Sequence, residues 1–374
     1  MKLIVNRDEL SSMLTRLQGF LGKSNLSPIL SNVLIQAHEE GQVTLSATDN
    51  EISFHGYVNA QVQSSGSLTV SGKRLLAMVR QFPSDQVTLS MTDRDELCLD
   101  SQQSHMVLVG IDAREFPELS FGDEGEMFVL RGGVLTDLFE RTLFSASVEE
   151  SRANLNGVLF TSLGDGVIRV VSTDGHRLSL AERYAGIDDA AMIPAFDGQI
   201  IPRKAVTELR KLLDEYPEVR LMMSGPNLIV KTDDFAINIR LIAERFPPYE
   251  SVIPEYNEHT FIFDRQELLG ALKRMGLVGE EKLHGVELTF SGAEVKLESR
   301  NNTLGQVSET LSLSEGSSDY ELKVAFGVHY MIDVLSVIKG AEVQIRLHQN
   351  ESTPGLFKDP EFEQDTFVVM PKRI

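Results

Sequence analysis

Residues 30–36 read LSNVLIQ, and the same kind of stretch returns as LNGVLFT at 155–161 and as LHGVELT at 283–289. The three copies start 125 and 128 residues apart. A second series keeps the same order and nearly the same spacing: VTLSM at 87–91, VRLMM at 219–223 and VQIRL at 343–347. Ordered series at one long spacing are typical of internal duplication. The chain is therefore predicted to consist of three repeats of roughly 125 residues.

The seams between the repeats follow two proline-containing stretches. EFPEL precedes the first seam and RFPPY the second, while VMPKRI closes the chain, so that Pro117, Pro247 and Pro371 occupy matching places. A repeat of this length is large enough to bury a core of its own. The predicted domains are residues 1–122, 123–254 and 255–374.

Each repeat contains two helical patterns, and strand patterns follow each of them. In residues 7–20 the apolar positions 10, 13, 14 and 17 fall on one helix face, and NVLIQA at 32–37 then alternates like a half-buried strand. Helices and strands in this order indicate an α+β fold. Six helices are predicted, at 7–20, 73–82, 131–146, 203–215, 264–275 and 327–339.

The bulk composition narrows the class of protein. The chain has 374 residues, of which 42% are hydrophobic and 24% charged, as is typical of a soluble globular protein. Cys98 is the only cysteine, so neither a disulfide framework nor a cysteine metal site is predicted. No apolar run reaches the ~18–20 residues that span a bilayer. MKLIVNRDEL at the start is unlike a signal peptide, so we expect a cytoplasmic protein without membrane contact.

The net charge of −20 argues against nucleic-acid binding unless the charges are segregated along the chain. The six helical stretches hold 15 Lys or Arg against 10 Asp or Glu, which leaves about −25 for the rest. Ordinary solvated helix faces would account for this pattern, and so would a basic surface built from all the helices. Helices packed ~10 Å apart in a ring of six leave a hole of only ~9 Å, whereas twelve leave ~28 Å. A chain that encircles duplex DNA would therefore have to do so as a dimer.

The stretch VSTDGHRLSL at 171–180 places Asp174, His176 and Arg177 close together, as a catalytic cluster, a metal site or a tight turn. Asp174-Gly175 suits a primed hairpin turn. Asp174 and His176 do not by themselves form a triad with a nucleophile, and two residues do not make a zinc site. The chain also lacks a phosphate-binding G-x-x-x-x-G-K-[ST] motif. The turn is favoured, and we predict no catalytic residue, metal site or cofactor, and no enzyme activity.

Three motifs and the repeat organisation carry a family resemblance. TDGHRL at 173–178, RFPPY at 245–249 and the terminal VVMPKRI, together with duplicated α+β domains and basic helices, resemble the bacterial DNA polymerase III beta subunit, the sliding clamp. The resemblance extends from SPILSNVL at 27–34 to the last residue. It implies clamp domains of two helices and eight strands, and a head-to-tail homodimeric ring with helices lining the hole.

The resemblance also implies the function and the partners. A sliding clamp encircles double-stranded DNA without sequence preference and tethers the replicative DNA polymerase for processivity. The clamp loader, repair polymerases and other proteins with a clamp-binding motif would be further partners, and the protein would be nucleoid-associated in the cytoplasm.

A peptide-binding pocket between the second and third domains is implied as well, with the 171–180 hairpin as one wall. Short linear peptides with Gln first and Leu or Phe last would insert apolar side chains there. Ser251, Leu283, Gly327 and Lys372 differ from residues familiar in the family, which bears on partner preference. The predicted pocket positions are Arg152, Leu155, Thr173, Gly175, His176, Arg177, Leu178, Pro247, Val252, Leu283, Tyr330, Thr353, Val368, Met370, Pro371, Lys372, Arg373 and Ile374.

DNA contacts are expected from scattered cations to phosphates, because a clamp must slide and base-specific contacts would hold it in place. An alternative class of protein is a scaffold that binds peptides without encircling DNA, and such a scaffold would not need basic helices. The predicted DNA-contacting residues are Lys23, Lys73, Arg74, Arg80, Arg141, Arg203, Lys204, Arg210, Lys273 and Arg274.

Overall fold

The structure is a computed structural model that describes residues 1–23, 27–101, 104–122, 127–185, 196–255, 258–278, 285–350 and 352–373. The chain forms two compact units. Unit 1 comprises residues 1–132 and 211–241, and unit 2 comprises residues 133–210 and 242–374. The second predicted domain therefore contributes to both units, and its boundaries at 123 and 254 stay predictions.

Six α-helices occur in the described part of the chain, one at each predicted place. The helices are shorter than the sequence patterns predicted, because a short 3-10 turn follows several of them at the C-terminal end. No helix among the described residues is long and apolar enough to cross a membrane. The helices are α1 (Arg7–Arg16), α2 (Gly72–Gln81), α3 (Gly132–Thr142), α4 (Arg203–Leu212), α5 (Arg265–Met275) and α6 (Val328–Val337).

Unit 1 contains one twelve-stranded antiparallel sheet in the order β1-β6-β7-β8-β5-β2-β3-β4-β16-β15-β14-β9, with strands numbered along the chain. β1 pairs with both β6 and β4, so the first eight strands close on themselves. The strands are β1 (Lys2–Asn6), β2 (Asn32–Ala37), β3 (Gln42–Thr48), β4 (Ile52–Ser64), β5 (Gly66–Ser71), β6 (Gln86–Met91), β7 (Glu96–Ser101), β8 (Ser104–Ile111), β9 (Met127–Leu130), β14 (Val219–Ser224), β15 (Asn227–Lys231) and β16 (Phe235–Arg240).

Unit 2 contains an eight-stranded sheet, β13-β10-β11-β12-β24-β23-β22-β17, and a four-stranded sheet, β20-β19-β18-β21. The pair β12–β24 joins the second repeat to the third, with Leu178 opposite Val368. The strands are β10 (Gly157–Gly164), β11 (Val167–Thr173), β12 (Arg177–Tyr184), β13 (Phe196–Pro202), β17 (His259–Asp264), β18 (Gly285–Gly292), β19 (Glu294–Asn301), β20 (Gly305–Ser312), β21 (Ser318–Gly327), β22 (Glu342–Leu347), β23 (Gly355–Asp359) and β24 (Phe362–Val369).

A strand leads into each helix, a feature that the sequence patterns did not predict. Asn6 ends β1 and caps α1, because its side chain accepts hydrogen bonds from the first-turn N–H groups of Asp8 and Glu9. Asp264 ends β17 and caps α5 through the N–H of Glu267 in the same way. In the described residues each repeat thus has two helices and eight strands, and the predicted α+β fold is confirmed.

The side chains of β24 alternate between two apolar clusters of unit 2. Phe367 and Val369 pack into the core beneath α5 and α6, while Val368 points to the opposite side of the sheet. There Val368 joins Leu178 and Tyr249 in a smaller cluster. Burying a side chain of this size contributes about 1.5–3 kcal/mol, so the core fixes β24 firmly beside β12.

Candidate functional site

The connection between β11 and β12 is a turn held by Asp174. Its Oδ1 accepts hydrogen bonds from the backbone N–H of His176 at 2.9 Å and from the next N–H at 3.1 Å. Gly175 has φ +88°, a left-handed conformation that favours glycine. Thr173 pairs with Leu178, so four residues connect the paired positions and the predicted two-residue primed turn is wrong. The Asp174 carboxylate is used to hold the turn.

Arg177 ties this hairpin to α6. Its Nη1 lies 2.5 Å from Asp333 Oδ2, its Nη2 donates to Phe144 O at 2.6 Å, and its Nε donates to Asp174 Oδ2 at 3.1 Å. The guanidinium carbon also lies 4.7 Å from the centre of the Tyr330 ring. All three guanidinium nitrogens are occupied, so Arg177 acts as a strut that fixes the hairpin.

An apolar pocket of about 240 Å³ lies beside the hairpin. The hairpin, the 247–252 segment and the end of β24 surround it. Nine of its lining residues belong to the predicted set, and two, Pro248 and Tyr249, were not predicted. The lining consists of Leu155, Thr173, Gly175, Arg177, Leu178, Pro247, Pro248, Tyr249, Val252, Val368 and Met370.

Tyr249 is the buried aromatic member of this lining. Its side chain is 7% exposed, and its hydroxyl accepts a hydrogen bond from Arg169 Nη1 at 3.1 Å. Arg169 in turn pairs with Glu182 at 2.5 Å. Burial raises the pKa of Tyr249, so the phenol stays neutral. An aromatic residue between Pro247 and Val252 in RFPPYESV was the sequence signal that could have identified it.

Arg152, His176 and Tyr330, three further predicted residues, surround the hairpin instead of lining the pocket. Arg152 Nη1 donates to the backbone oxygen of Asp174 at 3.2 Å. The His176 ring stacks on Tyr330 with 6.0 Å between ring centres. A Cβ at Gly327 would lie 2.8 Å from the Tyr330 ring. The glycine at this position therefore lets Tyr330 lie close to β21.

The chain after β24, residues 370–373, is here called the tail. Met370 N donates to His176 O at 2.8 Å, which holds the tail against the hairpin. Lys372 N donates to Ala325 O at 2.7 Å, which holds it against β21. Met370 lines both the apolar pocket and a second cavity, whose lining includes Pro371, Lys372 and Arg373.

Three predicted pocket residues remain. Thr353 lies in a turn in which its N–H donates to Asn350 O at 2.9 Å, and it is not part of the lining of either cavity. Leu283 and Ile374 lie outside the described residues.

Most predicted DNA-contacting cations are exposed. Arg274 is exposed but paired with Glu309 at 2.5 Å. The sequence of α6 contains no Lys or Arg, and the exposed candidates that belong to helices lie on α2, α4 and α5. The other exposed candidates are Lys23, Lys73, Arg74, Arg80, Lys204, Arg210 and Lys273.

Arg141 was predicted to contact DNA, and the structure contradicts this prediction. Its side chain is 1% exposed, and its Nη1 lies 2.5 Å from Asp365 Oδ2 and 3.8 Å from Asp359 Oδ2. The guanidinium carbon also lies 4.5 Å from the centre of the Phe362 ring. A cation enclosed by carboxylates and an aromatic ring cannot reach a DNA phosphate, so the assignment of Arg141 to DNA contact is wrong.

Arg203 is a second correction. It is half-buried, and its Nη1 donates to Leu143 O at 2.8 Å and to Ala146 O at 2.9 Å, just after α3. Burial and the nearby charge of Arg177 lower the pKa of Arg203. Its main role is to satisfy carbonyl groups at a helix end.

Two arginines that stand at helix starts, Arg7 and Arg265, have the same role. Arg7 Nη1 donates to Phe82 O at 2.9 Å, at the end of α2. Arg265 Nε donates to Gly340 O at 2.7 Å, and its Nη1 donates to Leu335 O at 3.2 Å, at the end of α6. Carbonyl groups at a helix C-terminus lack partners within the helix and attract cations. These arginines therefore join the two helices of a repeat.

Among the described residues, no group of three or more His, Cys, Asp or Glu side chains is arranged to hold a metal ion.

Three family models match the chain in succession. They describe the N-terminal, central and C-terminal domains of the DNA polymerase III beta subunit and match residues 1–120, 130–248 and 250–373. The order of the matches follows the order of the repeats.

Relatives and solved structures of the same family are similar to this chain over its full length. The beta sliding clamp of Vibrio cholerae is 30% identical over 378 residues, which cover 100% of both chains. The crystal structure of the DNA polymerase III subunit beta from Pseudomonas aeruginosa superposes with a TM-score of 0.92 at 28% identity, covering 100% of both chains. The DNA polymerase sliding clamp from Caulobacter crescentus gives 0.91 at 29% identity, again over 100% of both chains.

Proposed function

This chain belongs to the DNA polymerase III beta-subunit family, and we propose that it acts as a DNA sliding clamp that is a head-to-tail homodimer. The ring encircles duplex DNA, and the replicative polymerase is tethered to it. The observation that carries this proposal is the succession of three clamp-domain matches, at residues 1–120, 130–248 and 250–373. A clamp is a processivity factor and catalyses no reaction, in keeping with the turn role of Asp174.

Two strand edges that are unpaired in the described part of the chain support the dimer. Residues 104–109 of β8 pair with β7, and only Gly110 and Ile111 pair with β5. β20 pairs with β19 alone in the described residues, so it forms the edge of its sheet. Val107 and Val109 of β8 are 43% and 73% exposed. Exposed edges that carry apolar side chains favour pairing with another chain. We therefore assign β8 of one protomer and β20 of its partner to the interface.

The exposed cations support contact with DNA. Lys73, Arg74 and Arg80 are exposed on α2, and Lys204 and Arg210 on α4. Scattered cations bind phosphates without reading bases, which allows the ring to slide. Retention then comes from ring closure, so a chain with a net charge of −20 does not need high affinity for DNA.

The apolar pocket is assigned to linear peptides from the polymerase, the clamp loader and repair proteins. Its lining offers apolar surface from Leu155, Leu178 and Val368, a rigid edge from Pro247, and a flexible thioether from Met370. Apolar side chains at one end of an extended peptide fit such a pocket. Since its partners act on the chromosome, we place the protein at the nucleoid in the cytoplasm.

Negative-stain electron microscopy of the purified protein tests the ring directly. We expect rings of two chains with a hole of ~28 Å, the value that follows from twelve helices at ordinary spacing. Particles without a hole would contradict the clamp and favour the peptide-binding scaffold.

A variant with four substitutions distinguishes a clamp that encircles DNA from a scaffold that only binds peptides. Lys73, Arg74, Lys204 and Arg210 are changed together to Gln, because these four are exposed whereas Arg203 serves the fold. We expect faster loss of loaded protein from nicked circular DNA as salt rises, with peptide binding unchanged. Equal retention of the variant and the wild type at every salt concentration would contradict the assignment of these cations to DNA.

A further inference from the structure

The second cavity, about 520 Å³, adjoins the apolar pocket and is here called the tail groove. Because Met370 lines both spaces, a peptide that leaves the pocket past Met370 enters the tail groove. Its lining consists of Glu287, Lys323, Val324, Ala325, Ser352 and the tail residues 370–373.

One wall of the tail groove is a strand edge. β21 pairs with β18 on one side, where Ala325 lies opposite Glu287. Ala325 O accepts its hydrogen bond from Lys372 N on the other side. In an antiparallel pair, the backbone groups of residues i and i+2 face the same side of the strand. The N–H and C=O of Lys323 therefore face the groove, next to the hydrogen bond that Lys372 N donates to Ala325 O.

The charges of the tail groove differ from those of the chain as a whole. Lys323, Lys372 and Arg373 are cations, and Glu287 is the one carboxylate among the described residues of the lining, in a chain of net charge −20. Lys323 Nζ lies 2.9 Å from Glu321 Oε1, with side-chain exposures of 48% and 61%. An ion pair this exposed contributes little, so Lys323 can exchange its partner for a carboxylate of a ligand.

We propose that the tail groove binds an acidic, extended segment that precedes the apolar motif in partner peptides. The segment adds a strand to the edge of β21 at Lys323. Its carboxylates are neutralised by Lys323 and Arg373, while the apolar end of the same peptide occupies the neighbouring pocket. This inference rests on the proposed peptide-binding function and names the chemistry of the flanking sequence.

Two fluorescent peptides test the charge preference. They share one motif, Gln first and Leu-Phe last, and differ only in the four residues before it, which are all Glu or all Ser. We expect the Glu-flanked peptide to bind about fivefold more tightly at low salt, as two exposed ion pairs would give. The ratio should fall toward one as salt screens the charges.

A charge-reversal variant and a matched control locate the effect. Lys323→Glu should invert the ratio, so that the Ser-flanked peptide binds more tightly. Arg300→Glu makes the same charge change on β19 of the same sheet, where Arg300 is 71% exposed and lies outside the tail groove, and should leave the ratio unchanged. Equal inversion by both variants would mean that the net charge of the protein, and not the groove, sets the preference.

Hydrogen exchange tests the added strand. The amide of Lys323 should exchange more slowly in the complex with the Glu-flanked peptide than in the complex with a peptide that starts at Gln. Equal exchange in the two complexes would overturn the strand pairing.

The outcomes distinguish this inference from the proposed function. If the Ser-flanked peptide binds no better than a scrambled motif, the peptide pocket itself is wrong. If the Ser-flanked peptide binds and Glu brings no gain, or a Lys flank binds more tightly, only the role of the tail groove is overturned.

Discussion

Replacing Arg141 by Met should destabilise unit 2 strongly, because it removes the charge that two buried carboxylates share. Arg141 is 1% exposed, and Asp359 and Asp365 are 0% exposed. Met keeps much of the apolar stem that packs in the core but carries no charge. Removing one partner of a buried ion pair costs about 3–5 kcal/mol, chiefly because the remaining charge stays buried without compensation.

Asp359 and Asp365 keep other partners in the variant, so the loss of unfolding free energy should lie at the lower end of this range. Asp365 keeps Arg183, whose Nη1 and Nη2 lie 2.6 and 3.1 Å from its oxygens. Asp359 Oδ2 keeps the backbone N–H groups of Lys339 at 3.1 Å and Gly340 at 3.4 Å. Both charges therefore retain partial compensation in the variant. We expect Arg141→Met to lower the free energy of unfolding by about 3 kcal/mol.

Urea unfolding measures this change. The chain has 7 Tyr and no Trp, so far-UV circular dichroism and tyrosine fluorescence are the suitable probes. Because there are two compact units, two transitions are to be fitted, and only one of them should move. The matched control is Arg274→Met, which breaks an exposed pair with Glu309 and should cost less than about 1 kcal/mol. Equal costs for the two variants would refute the reasoning.

Three further predictions concern single residues of unit 2. Burial alone would raise the pKa of Asp137, but a hydrogen bond from Lys339 and two nearby arginines outweigh it and hold the pKa below 3.8. Because this pKa is lower in the folded state, the carboxylate stabilises the fold above about pH 4 and loses that effect as the pH falls through the folded pKa. The urea midpoint of Asp137→Asn should therefore fall less steeply below that pH than that of the wild type, and parallel curves would contradict the network. Gly175→Ala should cost about 1–2 kcal/mol in urea unfolding from backbone strain at φ +88°. A Cβ there would have no neighbour closer than 3.9 Å, so an unchanged midpoint would show that the turn relaxes freely. Tyr249→Phe removes the acceptor of Arg169 Nη1 and should lower the free energy of unfolding by about 1 kcal/mol, and a variant as stable as the wild type would mean that water replaces the hydroxyl.

The fold could be predicted from the sequence to the extent that its signals are local. The helix positions follow from apolar periodicity, and all six are found where that periodicity places them. The strands that lead into the helices were missed because segments such as LIVN at 3–6 are short and continuous with the helix pattern. The pairing of Leu178 with Val368 joins residues far apart in the chain, and no local pattern contains it. The family resemblance supplied this part of the site.

The lysines and arginines of the helices show a second limit of prediction from sequence, which concerns their exposure. Arg80 and Arg141 both stand near the end of a predicted helix, yet one is exposed and the other buried. Helix phase held a partial signal, because Arg141 follows Leu138 by three residues and so lies beside the apolar face of α3. The carboxylates that enclose it, Asp359 and Asp365, come from the third repeat. A long-range contact of this kind decides whether a helical cation faces solvent.

Residue type divides the cations by role more sharply than position does. The cations that bind the carbonyls at helix C-termini or the buried carboxylates are arginines, among them Arg7, Arg141, Arg183, Arg203 and Arg265. A planar guanidinium reaches two acceptors at once, which an ammonium group does with less geometric control. Counting all helical cations as a DNA-binding surface therefore overestimates that surface. We expect the smaller exposed set on α2, α4 and α5 to attract phosphates weakly and in a salt-sensitive way. If these cations face DNA, as proposed, processivity has to depend on the closure of the ring.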